Sequence, residues 1–227
     1  MIDKRVASIE EALAGLGGGM TIMFGGFGGA GVPVNLMRAL PSVPAKDLTI
    51  ISNSVRFLED YAYALFEEKR VKHAVASAAR SRGSASGISE LQIADGTITL
   101  DISPQGSFAE RIRAGGAGIP AFYTPTGVGT PVADGKEHRE FNGRMCVLEH
   151  ALTADFTLLR ADRADRYGNL SFRGTQGNFG RDMAAAARCT VVEVREIVDG
   201  LLPTAEIHVP GVFVKRVIQL PDGRDLK

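Results

Sequence analysis

Met20-Thr21-Ile22-Met23-Phe24-Gly25-Gly26-Phe27-Gly28-Gly29-Ala30-Gly31-Val32-Pro33 is the stretch on which the fold turns. A short apolar run ends in five glycines within seven residues, and a proline follows almost at once. The run predicts a buried strand, the glycines a tight loop, and Pro33 the first turn of a helix. Without a Cβ, the loop backbone can adopt positive φ and approach a ligand closely. A helix N-terminus behind such a loop would offer unpaired N–H groups to an anion or a carbonyl oxygen.

Working outward, the same alternation repeats. Ser8-Ile9-Glu10-Glu11 fits a capping box that opens a short helix to about Leu16. Pro33 to Leu40 reads as helix, Leu48 to Ser52 as a second buried strand, Phe57 to Lys69 as helix and Val71 to Ala76 as a third strand. Residues 80–90 are small and polar and read as a loop. Thr97 to Ile102 reads as a strand, and Ser107-Phe108-Ala109-Glu110 as a second capping box starting a helix through Arg113. Asn142-Gly143 is a hairpin signal. Further strands are expected at Phe156–Leu159, Leu170–Arg173 and Thr190–Val194, a helix at Met183–Ala187, and a last extended run at Val212–Leu220.

This order predicts an open α/β fold, a largely parallel sheet with helices on both faces, as one domain over residues 1–227. Ligands in such folds sit beyond the carboxyl ends of the strands. The candidate loops are therefore 25–32, Asn53-Ser54 and Pro104-Gln105-Gly106.

Composition narrows the function. With 44% apolar residues the chain can bury a full core without disulfides or metal. Lys+Arg and Asp+Glu both total 26, so no net charge steers it toward nucleic acid or a membrane surface. Two isolated cysteines, Cys146 and Cys189, suit reduced buried thiols and a cytoplasmic location. No apolar signal core or membrane-length apolar run is seen. His73, His138, His150 and His208 lack metal-ligand spacing, and no nucleophile elbow or P-loop occurs.

The glycines admit more than one reading. Gly26, Gly28 and Gly31 satisfy the dinucleotide fingerprint, and Arg56 would suit a 2′-phosphate, so an NADP-binding oxidoreductase is one alternative. Equally, they would let a helix pack close to a strand. Asn53 ends an apolar strand, where asparagine serves a turn or supplies an amide to a carboxylate or thioester oxygen. Gln105, held between Pro104 and Gly106, is the better placed amide. Arg111, Arg113 and Lys136 read as solvated or ion-paired. No convincing nucleophile or base emerges from these residues.

The segments Gly25–Pro33, Leu48–Asn53 and Ser103–Gly127 resemble the A subunits of family I CoA-transferases, which act on 3-oxo acids including 3-oxoadipate. Arg139–Gly143, Ala154–Phe156 and Gly168–Arg173 extend the resemblance in order along nearly the whole chain. The resemblance implies transfer of CoA from an acyl-CoA, commonly succinyl-CoA, to a 3-oxo acid, with no metal and no permanently bound cofactor. It implies a nucleophilic glutamate on a partner B subunit, an acyl-glutamyl anhydride, and then a glutamyl-CoA thioester. It implies an AB pair, doubled into A2B2. On this chain Asn53, Ser54, Gln105 and Gly106 would line the substrate side, and Gly25, Gly26, Phe27, Gly28 and Gly31 would form the CoA or oxyanion loop. The chain departs from the family where Asn53-Ser54-Val55-Arg56 replaces a common Asn-Asn-Ala-Gly, and where Arg80 and Arg82 stand in a loop that usually carries acidic and amide residues. Arg56, Arg80 and Arg82 would suit a second carboxylate on the acceptor.

Overall fold

The computed structural model describes residues 2–80 and 85–219. Eleven strands appear among them: β1 Thr21–Phe24, β2 Leu48–Ser54, β3 Val71–Ala78, β4 Thr99–Ile102, β5 Ala121–Thr124, β6 His138–Phe141, β7 Arg144–His150, β8 Ala154–Ala164, β9 Leu170–Ser171, β10 Ala187–Ile197 and β11 Arg216–Gln219. The α-helices are α1 Ile9–Leu13, α2 Val34–Ala39, α3 Val55–Tyr61, α4 Tyr63–Glu67, α5 Ile88–Ala94, α6 Gln105–Gly116 and α7 Gly180–Ala185.

The main sheet runs β11-β10-β8-β1-β2-β3-β4, parallel throughout, with β9 antiparallel on β8. Its residues alternate between two cores. Ile22 and Phe24 of β1 face the layer built by α1 to α5, with Leu36, Met37, Leu58 and Phe66. Met23 faces the opposite layer, where Phe108 and Ile112 of α6 meet Met183 and Ala184 of α7. Helices thus cover both faces, as the alternation predicts. From β1 the sheet grows through β2, β3 and β4 on one side and through β8, β10 and β11 on the other. The reversal falls at β1 and β8, and crevices in open sheets form at such switch points.

Several local expectations are corrected. The second capping box does not form. Pro104 precedes the first residue of α6, and Ser107 lies buried inside the helix. Glu110 pairs with Arg113 at 2.7 Å instead of reaching back. Pro33 stands just before α2 rather than in its first turn. The 57–69 helix breaks at Ala62 into α3 and α4. Helix α5 begins inside the stretch read as loop, because the buried carboxylate of Glu59 accepts the Ser89 N–H at 2.9 Å. That support comes from a distant helix and leaves no local signal.

The Asn142-Gly143 turn forms as read, with φ of 51° and 76° joining β6 to β7. It belongs to a small antiparallel sheet, β5-β7-β6, in which the hairpin pairs with Ala121–Thr124, a stretch whose Ala121-Phe122-Tyr123 reads as strand in the sequence. Buried Arg111 ties this sheet to the body. Its Nε donates to the His150 carbonyl at 2.9 Å, and its Nη2 pairs with Asp101 at 2.9 Å. Glu149 lies 3.8 Å from Arg111 and 2.7 Å from Lys136. Cys146 is buried and Cys189 half-buried, with burial pushing the Cys189 thiol up.

Candidate active site

Strands β1 to β4 deliver their carboxyl ends to one rim, and a cleft of about 710 Å³ opens there. Phe27, Gly28 and Gly29 form one wall, Asn53, Ser54, Arg56, Phe57 and Asp60 the floor and far side, and Ala78, Arg80 and Gln105 the remainder. Most of the residues singled out from the sequence therefore meet in one place. Gly25, Gly26 and Gly31 stand behind the glycine wall, and Gly106 is the exposed second residue of α6 outside the lining. Arg82 lies outside the described residues.

The glycine loop is itself a miniature hairpin. Phe27 and Ala30 exchange both backbone hydrogen bonds at 3.0 Å, with Gly28 (φ +58°) and Gly29 (φ +89°) as the tip. Positive φ at both positions is what a two-residue hairpin turn requires, and glycine supplies it without strain. Asn178 clasps the base. Its Oδ1 accepts the Gly26 N–H at 3.2 Å, and its Nδ2 donates to the Ala30 carbonyl at 3.0 Å. At Gly31 (φ +69°) any Cβ would collide with the carbonyl oxygen of Gln176. The Gly25 N–H donates to the Leu158 carbonyl at 3.0 Å. Of the cleft-lining tip, the Gly28 and Gly29 N–H groups have no partner among the described residues.

The helix end behind the loop is not open, which corrects the first expectation from the sequence. The Asn35 and Leu36 N–H groups both donate to Oε2 of Glu193 at 3.0 Å. Glu193 is fully buried on β10, and Arg160 of β8 approaches its Oε1 at 3.3 Å. Burial outweighs the backbone and arginine contacts and pushes this carboxyl up to about 7.

Opposite the loop, three polar side chains interlock at the ends of β2 and β3 and the start of α6. The Asn53 Nδ2 donates to Ser77 Oγ at 2.7 Å and to Gln105 Oε1 at 2.9 Å. Ser77 Oγ lies 2.7 Å from Gln105 Oε1 and 3.0 Å from the Asn53 carbonyl. Asn53 is buried, while Gln105 is exposed toward the cleft. Ser77 is a residue that the sequence did not single out. A serine near the end of a small-residue strand carries no pattern of its own.

Charge in the cleft is uneven. Arg56 binds Glu59 at 3.1 Å and Asp60 at 2.9 Å, so its guanidinium is committed. Arg80 is exposed and makes no ion pair or hydrogen bond among the described residues. Asp60, the one carboxylate lining the cleft among the described residues, is held by Arg56. No group of His, Cys, Asp and Glu among the described residues would hold a metal ion, and no described helix is long and apolar enough to cross a membrane.

Residues 6–220 match the Coenzyme A transferase family. The A subunit of the 3-oxoadipate CoA-transferase of Pseudomonas putida is 46% identical over 219 residues, covering 96% of this chain and 94% of its own. The A subunit of the succinyl-CoA:3-ketoacid coenzyme A transferase of Helicobacter pylori J99 is 44% identical over 218 residues, covering 95% and 92%. The mitochondrial succinyl-CoA:3-ketoacid coenzyme A transferase 2A of Mus musculus is also 44% identical, but this chain spans only 44% of that polypeptide. Among solved structures, the acyl-CoA transferase YdiF of Escherichia coli O157:H7 shares the fold with a TM-score of 0.84 at 22% identity, over 99% of this chain and 48% of that one. The dinucleotide reading finds no support in either the loop geometry or these relatives. With a family match across nearly its full length and relatives at this level of identity, the chain belongs to the Coenzyme A transferase family.

Proposed function

We propose that this chain, as a single subunit domain, is the A subunit of a heteromeric 3-oxoacid CoA-transferase. It moves CoA from succinyl-CoA or another acyl-CoA to a 3-oxo acid such as 3-oxoadipate or acetoacetate. The observation that carries the reading is identity of 44% and 46% with two A subunits over more than nine-tenths of each chain. The cleft supports it from the side of chemistry: among the described residues, amides, unpaired backbone donors and an unpaired cation converge there, and the one lining carboxylate is occupied.

The reacting carboxylate then comes from a B subunit. Its oxygen attacks the thioester carbonyl, the C–S bond breaks, and an acyl-glutamyl anhydride forms with CoA thiolate free. The thiolate attacks the glutamyl carbonyl and releases the donor acid. The acceptor carboxylate attacks the resulting glutamyl-CoA thioester, and the thiolate returns to the new acyl group, regenerating the glutamate. This chain's part is binding and charge stabilisation. Gln105, with Ser54 beside it, meets the substrate oxygens, and Gly28 and Gly29 aim N–H groups at the tetrahedral oxyanion. Such a donor is worth roughly 3 kcal/mol of transition-state stabilisation. Gly25, Gly26, Phe27 and Gly31 shape that loop, and Gly106 follows Gln105 in the first turn of α6. CoA thioesters enter as substrates, not as resident cofactors.

In the mouse relative a single polypeptide is more than twice the span matched here, which supports a partner supplying the remaining half of the enzyme. We place the pair, doubled as A2B2, in the cytoplasm, in keeping with two cysteines in no disulfide among the described residues. Co-purification with the B subunit, followed by assay with succinyl-CoA against several 3-oxo acids, tests the reading. Transfer to at least one 3-oxo acid by the pair is expected. A well-assembled pair that transfers CoA to none of them would refute it.

A further inference from the structure

The three-way contact of Asn53, Ser77 and Gln105 sets which end of the Gln105 amide faces the cleft. Asn53 Nδ2 donates toward both Ser77 Oγ at 2.7 Å and Gln105 Oε1 at 2.9 Å, two acceptors that stand side by side and share one amide proton. The Ser77 hydroxyl has one proton, and of its two acceptors Gln105 Oε1 at 2.7 Å is nearer than the Asn53 carbonyl at 3.0 Å. Gln105 Oε1 therefore faces two donors, Asn53 Nδ2 and the Ser77 hydroxyl, and is turned away from the cleft. What remains for the cleft is Gln105 Nε2, carrying two protons and no partner among the described residues.

We infer that Ser77 is a positioning residue which, with Asn53, locks the Gln105 amide so that only its N–H₂ group faces the substrate. The site then reads a hydrogen-bond acceptor and rejects a donor at that point, as a carboxylate or thioester oxygen demands. Asn53 acts through Gln105, because it is buried and donates to Gln105 Oε1 at 2.9 Å. Arg80, unpaired among the described residues and on the same rim, favours the same anionic occupant. This inference rests on the transferase reading and adds a residue and a polarity to it.

The test uses the AB enzyme with Ser77→Ala and Ser77→Thr. Ser77→Ala removes one of the two donors on Gln105 Oε1 and frees the amide to turn. KM for the acceptor acid should rise ~10-fold, the scale of one hydrogen bond, with kcat within ~3-fold and the melting temperature unchanged. Ser77→Thr keeps the hydroxyl and should restore KM to within ~3-fold of wild type. An unchanged KM in Ser77→Ala would overturn the inference, and so would equal rises in the alanine and threonine variants. Should Ser77→Ala fail to assemble, Gln105→Glu decides. A carboxylate cannot donate, so kcat/KM must fall at least ~100-fold, and wild-type activity would refute the inference. An active wild-type pair alongside an unchanged Ser77→Ala pair sinks this inference alone. An inactive wild-type pair sinks the transferase reading itself.

Discussion

Asn178 holds the glycine loop from 152 positions away, with one amide accepting from Gly26 and donating to Ala30. Asn178→Ala should leave the buried Gly26 N–H without its acceptor and take one of two donors from the Ala30 carbonyl, a loss of about 1–3 kcal/mol, and should lower kcat/KM through a loosened loop tip. Chemical denaturation together with steady-state kinetics of the AB pair checks this; unchanged values in both would refute the clasp. Arg80 bears on substrate choice. With Arg56 tied to Glu59 and Asp60, Arg80 is the cation available to a second carboxylate among the described residues. Arg80→Ala should weaken kcat/KM for a dicarboxylate acceptor such as 3-oxoadipate by roughly tenfold more than for acetoacetate, the worth of one charge-assisted contact. Equal losses for the two acids would count against it. Asn53 was legible because it ends an apolar run, and Gln105 because Pro104 and Gly106 bracket it just before a helix. Ser77 and Asn178 were not, because their partners lie 24 and more positions off and their own surroundings carry no pattern.

At the scale of elements, helix α2 is short, and its exposed-looking N-terminus is closed by the Glu193 carboxylate from 158 positions further on. A glycine loop, Val32 and Pro33 predict a helix start, but nothing local says that its N–H groups are already taken. Burial raises the Glu193 carboxyl from 4.5 to about 7. The folded state therefore favours the neutral acid. The stabilising contribution is complete below pH 4.5 and is lost as pH rises through about 7, a change on the order of 3 kcal/mol. Glu193→Gln keeps an oxygen for the two N–H groups and cannot titrate. Its melting temperature should vary less than the wild type's between about pH 5 and pH 8 by calorimetry. An unchanged slope in the variant would show that Glu193 does not titrate in this window. Helix α5 and the seating of the β5-β7-β6 sheet on the body show the same limit on local reading. They form because Glu59 and Arg111 reach them from elsewhere, whereas β1 and β2 announce themselves by unbroken apolar runs.

Across the whole molecule, the alternation of strand and helix is enough to predict a parallel sheet with two helical layers, because fully buried strands must be apolar on both faces. It does not reveal the strand order, which depends on which crossovers pack on which face. That order matters, since it brings the ends of β1, β2 and β3 and the start of α6 to one rim, where loops far apart in sequence become neighbours. The rim supplies donors and a cation but holds no unengaged carboxylate among the described residues. On the proposed reading, the covalent step occurs on another polypeptide. Intact mass spectrometry of a quenched mixture of succinyl-CoA, this chain and its B subunit weighs the two polypeptides separately. The expected spectrum carries the mass of a CoA thioester on the B subunit, with this chain unmodified. A thioester-linked mass on this chain, with turnover when it is purified alone, would contradict the division of labour proposed for the pair.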